Sequence, residues 1–223
     1  MSLRICFQDG VVAGPELAGI TTAPDTAFIG NNTLVKSDRT TSLSVVEIST
    51  GKILVKRYNT KNLWHSVRRN FQRSRAVNCM KMAAQFAECG ILVPRTLAVV
   101  EEHFGPFAGR SWYVSDFVEG ETLLDWVSRK QGSELAPTLI DQVVTLFKIM
   151  LQYGLSHGDM KATNMIVSGD RIYVIDLDAA KEHRSRSSHA RALARDKLRF
   201  LRNWDALPHL QQDFRARLEA LGI

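Results

Sequence analysis

This sequence predicts an α+β fold built from two small lobes, and three observations carry the prediction. Short β-rich runs fill the first half, from Thr33 to Phe117. One stretch without glycine or proline, residues 62–89, interrupts them and reads as helix. The second half, from Thr122, is mostly helical and is broken by a single hairpin signal. The expected division is an irregular N-terminal arm over 1–30, a β-rich lobe over 31–118 and a short, mostly helical lobe over 119–223.

The elements follow in chain order. Residues 1–30 hold several glycines and prolines with little periodicity, hence the irregular arm. Strands are expected at 33–37, 42–49 and 52–58, with Ser49-Thr50-Gly51 as a tight turn between the last two. The helical stretch over 62–89, read as one or two helices, ends at Gly90, with Pro94 just beyond. Residues 97–102 and 111–117 read as strands joined by a Gly/Pro loop, and Glu119-Gly120-Glu121 as a linker. Helices are expected over 122–129 and 138–153. Gly169-Asp170 lies between the apolar runs 165–167 and 172–175 and marks the hairpin. From about Ser187 the chain is helical, with a break at Pro208.

Composition bounds the function classes. The 223 residues are 45% hydrophobic and 23% charged, which excludes disordered and collagen-like classes. Lys+Arg 29 against Asp+Glu 23 gives a net charge of +6, an excess that points to anionic partners without choosing among nucleotide, nucleic acid, phospholipid and phosphosugar. The 3 cysteines, Cys6, Cys79 and Cys89, form no CxxC pair, so a disulfide scaffold or structural zinc is not expected and a reducing cytoplasm is. The longest apolar runs fall far short of the roughly 18–20 residues that cross a bilayer, and the first ten residues lack the apolar core of a signal peptide.

Most of the chemistry lies in SHGDMKATNMIVSGDRIYVIDLDAA, residues 156–180. His157, Asp159, Lys161 and Asn164 share one short loop, and a hairpin follows at once. Asp176 ends the second strand, directly after Val174-Ile175. An acid there is costly unless it binds something. The hairpin returns Asp176 beside Asn164, and this pair of oxygen donors suits Mg²⁺, which keeps its other positions for water and phosphate oxygens. Asp159 is then free to orient or deprotonate a hydroxyl. Singly, Asp and Asn at such places are more often caps and turn residues; the set and its spacing are what point to a site.

HGDMKATN followed by VIDLD resembles the kinase catalytic loop H-x-D-x-x-x-x-N and its metal-binding D-F-G, here Asp176-Leu177-Asp178. More narrowly, residues 33–205 resemble the bacterial lipopolysaccharide kinases of the WaaP/InaA type, through ILVKRYN (53–59), WHSVRR (64–69), SRA (74–76), GILVPR (90–95) and RDKLRFLRNW (195–204). The resemblance implies a two-lobed protein-kinase-like fold, with a nucleotide-binding first lobe and a catalytic second lobe. It implies ATP and Mg²⁺ as cofactors and a heptose or Kdo hydroxyl of the lipopolysaccharide inner core as acceptor. By the same resemblance Asp159 accepts the hydroxyl proton, Lys161 neutralises charge on the γ-phosphoryl group, Asn164 and Asp176 hold the metal, and Lys56 holds the α/β-phosphates. His157 packs and holds the loop. Asp178 replaces the D-F-G glycine and either adds a metal oxygen or caps the next helix.

The sequence departs from protein kinases in three ways. The phosphate-covering loop, KSDRTTSLS (36–44), has no glycine, which leaves backbone N–H groups and the hydroxyls of Thr40, Thr41 and Ser42 to bind phosphate. Residues 57–87 hold no Asp or Glu, and Cys79 stands where the helix Glu partner of Lys56 is expected; Glu88 or Asp176 are the alternatives. No A-P-E segment follows the site, which argues against an ordinary Ser/Thr protein kinase. The acid-free segment is basic (Arg57, Lys61, Arg68, Arg69, Arg73, Arg75, Lys81), with Trp64 and Phe71 able to share its face, and a second basic run spans Lys181 to Arg202. Both read as solvated faces or as anion-binding surfaces. No base-reading motif accompanies them, so nucleic acid is not the expected partner. A lipid-linked phosphorylated sugar explains both, with the protein peripheral on the inner face of the inner membrane. Residues 113–120 resemble the hinge, where Asp116 and Glu119 are expected to face water. A small-molecule kinase of the aminoglycoside type, an atypical protein kinase, and a pseudokinase that binds lipopolysaccharide or an assembly partner are the alternatives.

Overall fold

A computed structural model describes residues 2–30, 32–37, 39–59, 74–105, 107–130 and 137–223. They divide into two compact units, Met1–Ala84 with Pro94–Phe117, and Gln85–Val93 with Val118–Ile223.

The first unit is organised by a 6-stranded antiparallel sheet. Its strands are β1 (Ser2–Phe7), β2 (Thr33–Ser37), β3 (Thr41–Ile48), β4 (Gly51–Tyr58), β5 (Thr96–Phe104) and β6 (Phe107–Asp116), in the order β1-β5-β6-β4-β3-β2. Ile48 pairs with Gly51, so Ser49-Thr50 form the expected tight turn. Strand alternation then sorts the side chains onto two faces. Val46, Ile53, Val55, Trp112 and Val114 share one face and its core. Lys56 and Tyr58 share the other with Thr41 and Leu43, their cross-strand neighbours.

The N-terminal segment is not irregular, contrary to the expectation for 1–30. Ser2–Phe7 adds an edge strand to β5, with Ile5 opposite Val100. Pro15 then opens helix α1 (Pro15–Thr22), where its missing N–H costs nothing, and a 3₁₀ turn follows over Pro24–Phe28. Leu17, Ile20 and Ala27 join the core of the Val55 face. The alternation of Leu3 and Ile5 with Ser2 and Arg4 is the strand signal, too short to stand out between glycine-rich neighbours.

Asp25, in that 3₁₀ turn, fastens the segment to the sheet. Its carboxylate accepts from Arg57 (Nη1, 3.1 Å), Arg110 (Nη1, 2.7 Å) and Trp112 (Nε1, 3.3 Å). Arg110 also makes a two-pronged contact with the buried Glu102. Burial opposes ionisation of Asp25, but the hydrogen bonds and charges of Arg57 and Arg110 outweigh it and hold the carboxyl below its ordinary value. Asp25→Asn should cost about 1–2 kcal/mol, since the site is partly open to solvent. A depressed carboxyl contributes fully above its unfolded value, near pH ~4, and loses that contribution as pH falls through the folded value. Urea unfolding of wild type and Asp25→Asn should therefore differ at pH 7 and converge in acid.

Helix α2 (Arg75–Glu88) follows the undescribed stretch 60–73, where the expected first part of the helix lies together with Lys61, Trp64, Arg68, Arg69, Phe71 and Arg73. It buries Ala76, Cys79, Met82, Ala83 and Phe86, one face at helical spacing. It closes on Gly90 at φ 86°, with Ile91 N–H returning to the Phe86 carbonyl at 3.0 Å, a Schellman closure.

The second unit holds β7 (Glu121–Thr122), α3 (Leu123–Arg129), α4 (Pro137–Gln152), β8 (Leu155–Ser156), β9 (Met165–Ser168), β10 (Arg171–Val174), β11 (Lys181–Glu182), α5 (Arg186–Leu201) and α6 (Pro208–Glu219). Thr122 caps α3 by accepting Asp125 N–H at 3.1 Å. The expected linker at 119–121 is partly a strand, since Glu121-Thr122 pairs with β9. Phe147, Phe200, Trp204 and Phe214 join α4, α5 and α6 through ring contacts of 4.9–5.8 Å between centroids. Among the described residues no helix is long and apolar enough to cross a membrane.

Candidate active site

The site loop of the second unit is closed at its neck. β8 pairs with β11, Ser156 opposite Lys181, so residues 157–180 leave and return at one point. Within them β9 and β10 form the expected hairpin, Met165 opposite Val174. Ile175 N–H donates to the Asn164 carbonyl at 3.0 Å, which sets the approach to Asp176 beside Asn164.

Each loop residue has a defined task. His157 is fully buried. Its Nδ1 accepts the Asp159 N–H at 3.3 Å, so Nε2 carries the proton and donates to the Ile175 carbonyl at 3.0 Å. The ring thus ties the Asp159 backbone to the strand that leads into Asp176, the holding role expected for it. Gly158 has φ 83°, and a Cβ there would sit 2.6 Å from the Ala179 carbonyl oxygen, so only glycine fits this crossing. Asn164 donates from Nδ2 to the Asp159 carbonyl at 2.9 Å, which leaves Oδ1 as the amide atom able to ligate a cation.

Asp159 is partly exposed and held between two cations. Lys161 Nζ donates to Oδ2 at 3.1 Å, and Arg199 Nε pairs with Oδ1. Asp176 has φ 65° and ψ 51°, the one non-glycine residue at positive φ among those described. Such a backbone is held only where the surroundings over-determine it, and it occurs most at functional sites. Among the described residues no cluster of three His, Cys, Asp or Glu side chains could hold a metal. Mg²⁺ does not need one, because it binds through one or two protein oxygens together with phosphate and water. Asn164 Oδ1 and the Asp176 carboxylate fit that demand.

Asp196, which stands out in the sequence only within RDKLRFLRNW, holds the loop from α5. It is 1% exposed, and its carboxylate accepts from His157 N (2.7 Å) and Gly158 N (3.0 Å). The signal was present in the pattern. On α5, residues 189, 192, 193, 196 and 200 form the buried stripe, and Asp196 takes a position where an apolar side chain belongs. Arg199, one turn on, was visible only as part of a basic run. That run is not a uniform face: Lys197 Nζ donates to the Ile223 carbonyl and Arg191 Nε to the Ser187 carbonyl, whereas Lys181, Arg195, Arg199 and Arg202 line one cavity.

In the first unit the proposed phosphate-side residues separate. Lys56 is 7% exposed on β4, its ammonium 5.1 Å from the centre of the Tyr58 ring. Thr41, opposite Tyr58, lies on that face. Thr40 is in the turn before it and accepts Asn59 N–H through its carbonyl. Ser42 does not join them: it is buried on the opposite face, where its Oγ accepts from Arg57 Nη2 at 3.3 Å. The alternation of β3 puts Ser42 and Lys56 on opposite faces of the sheet, so the three adjacent hydroxyls expected to bind phosphate do not point the same way. Arg57 and Arg75 are likewise not free cations, since Arg57 pairs with Asp25 and Arg75 covers the Tyr58 ring. Asp116 pairs with Arg95 at 2.9 Å. Cys79, at the position of the expected helix Glu, lies against Tyr113, whose phenol also shares a 2.8 Å hydrogen bond with Thr96; burial pushes that phenol well above its ordinary value.

The profile described as "Lipopolysaccharide kinase (Kdo/WaaP) family" matches residues 33–220. A 69-residue stretch is 38% identical to the serine/threonine-protein kinase YabT of Bacillus subtilis (strain 168), covering 30% of this chain and 20% of that protein. The solved structure "WaaP in complex with acyl carrier protein" shares the fold, with a TM-score of 0.54 at 18% identity over 98% of this chain and 96% of that one. From its profile match over most of its length, the chain belongs to the lipopolysaccharide kinase (Kdo/WaaP) family.

Proposed function

We propose that the chain transfers the γ-phosphoryl group of ATP to a heptose or Kdo hydroxyl of the lipopolysaccharide inner core. The observation that carries this reading is the hydrogen-bonded loop that holds Asp159, Asn164 and Asp176 in one unit. ATP supplies the phosphoryl group, and Mg²⁺ neutralises its developing charge. Asp159 orients the acceptor hydroxyl and takes its proton as the new O–P bond forms and the bond to ADP breaks. Lys161 faces the charge that develops on the transferred group. Asn164 and Asp176 hold the cation. Lys56, with the backbone and hydroxyls of Thr40 and Thr41, holds the phosphates. The basic segment around Lys61, Arg68, Arg69 and Arg73 attracts the protein to the anionic inner face of the inner membrane.

A binding protein without catalysis is the second reading. It rests on the sequence of α2, where Cys79 stands at the position at which protein kinases carry a helix Glu.

Nucleotide binding tests the first reading. Saturating ATP·Mg²⁺ should stabilise the folded state by about 2.7 kcal/mol at 100 times Kd, or roughly 5–10 °C in Tm for a chain of this size. Asp176→Asn should reduce the shift with ATP·Mg²⁺. An unchanged melting temperature at millimolar ATP·Mg²⁺ would overturn the nucleotide site.

A further inference from the structure

The second unit holds a cavity of about 790 Å³ beside the catalytic loop. Ser156 and His183 are among the residues that line it. Lys181 enters from β11, Arg195 and Arg199 from α5, and Arg202 from the 3₁₀ turn (Arg202–Trp204) that continues it. The volume lies in the range that takes a small organic ligand.

The charge arrangement is the informative part. Arg195, Arg199 and Arg202 are spaced four and three residues apart, so they share one helix face. Like charges at that spacing work against the helix. Within the described residues no carboxylate pairs with Lys181, Arg195 or Arg202, while Arg199 is paired with Asp159. The remaining acid of the lining, Asp196, has its carboxylate committed to the N–H groups of His157 and Gly158. His183 adds no charge to the wall. Burial, then His189, Lys181 and Arg195, push its imidazole below the ordinary value, against a smaller opposing effect of Asp196. Its two ring nitrogens meet the Ser156 and Ser188 hydroxyls at 2.7 and 3.1 Å. The cavity therefore offers unpaired cations over a neutral hydrogen-bonding wall, and Arg199 connects it to Asp159.

We propose that this cavity binds an oxyanion substituent of the phosphoryl acceptor through Lys181, Arg195 and Arg202, which makes these residues determinants of acceptor specificity. The proposal rests on the phosphoryl-transfer reading of Asp159. Arg199 lines the same cavity and pairs with Asp159, so it links an anion seated among the three cations to the residue proposed to take the acceptor proton. The oxyanion is either the carboxylate of a sugar acid or a phosphate already present on the core.

The test uses the full-length protein and core oligosaccharide released from lipopolysaccharide, in three forms: untreated, dephosphorylated with hydrofluoric acid, and carboxyl-reduced. Calorimetric binding without nucleotide and phosphoryl transfer from ATP are both measured for wild type, Lys181→Gln and the double variant Arg195→Gln/Arg202→Gln. Each variant is first shown to keep the wild-type ATP·Mg²⁺ shift in Tm. The expected result is a roughly 10–100-fold loss of oligosaccharide affinity, and an equal rise in acceptor KM, in the double variant, the range for losing charge-assisted hydrogen bonds. Loss of wild-type affinity on carboxyl reduction identifies the carboxylate; loss on dephosphorylation identifies the phosphate. Equal affinity of wild type and both variants for untreated oligosaccharide, or no binding by wild type, overturns the proposal. If wild type binds but transfers no phosphate to any form, the kinase reading fails while the binding comparison still decides the cavity's role.

Discussion

Asp159→Asn should lower phosphoryl transfer by roughly 10²–10⁴-fold, the range for loss of a general base. The change keeps size and shape but removes the negative charge and the proton acceptor. Asp159 contributes a backbone N–H to His157 and a backbone carbonyl to Asn164, and both survive the substitution. The loop should therefore stay in place and the ATP·Mg²⁺ shift in Tm should persist. The ion pairs to Lys161 and Arg199 are lost together, but both are solvent-accessible, so their effect on stability is small. A fall in transfer with nucleotide binding retained separates an enzyme from a binding protein. In the latter, Asp159→Asn complements a deletion as well as wild type does.

The second large effect is expected at a residue with no place in the chemistry. Asp196→Ala removes the acceptor of the His157 and Gly158 N–H groups. Stranding those two buried donors and opening a small void should cost about 2–5 kcal/mol, read as a fall in Tm. The loop that presents Asp159 then loses its support from α5, and transfer should drop at least tenfold even at temperatures where the variant is folded, because small displacements of a catalytic group are costly. Asp196→Asn retains one acceptor oxygen and should recover part of both losses. A purely global destabilisation predicts lost stability with unchanged turnover in the folded fraction.

The sequence read differently at different length scales. Loop and hairpin were legible because their signals are local: HGDMKATN, Gly169-Asp170 and VIDLD lie within 25 consecutive residues, whereas the two-residue pairing of β8 with β11 that closes them is too short to show in the sequence. The strands around Lys56 were legible by alternation and a two-residue turn. What escaped depends on long-range pairing. Ser2–Phe7 is a strand because β5 is there to receive it, nearly a hundred residues on. Asp25 looks like a surface acid until Arg57, Arg110 and Trp112 converge on it. Asp196 is separated from the loop it holds by 39 positions, and only its place in an apolar stripe distinguishes it from the charged residues beside it. Ser42 departs from expectation for the opposite reason: it neighbours Thr41 in sequence but occupies the other face, against Arg57.

The proposed activity is phosphorylation of a sugar of the lipopolysaccharide core. Its most direct measurement is transfer of label from γ-labelled ATP to lipopolysaccharide isolated from a strain that lacks the gene, followed by mass analysis of the released core. Mg²⁺-dependent gain of one phosphate on a core sugar is expected with wild-type protein, and little with Asp159→Asn. No label in the core, from protein that binds ATP·Mg²⁺ and is offered the unphosphorylated acceptor, would contradict it.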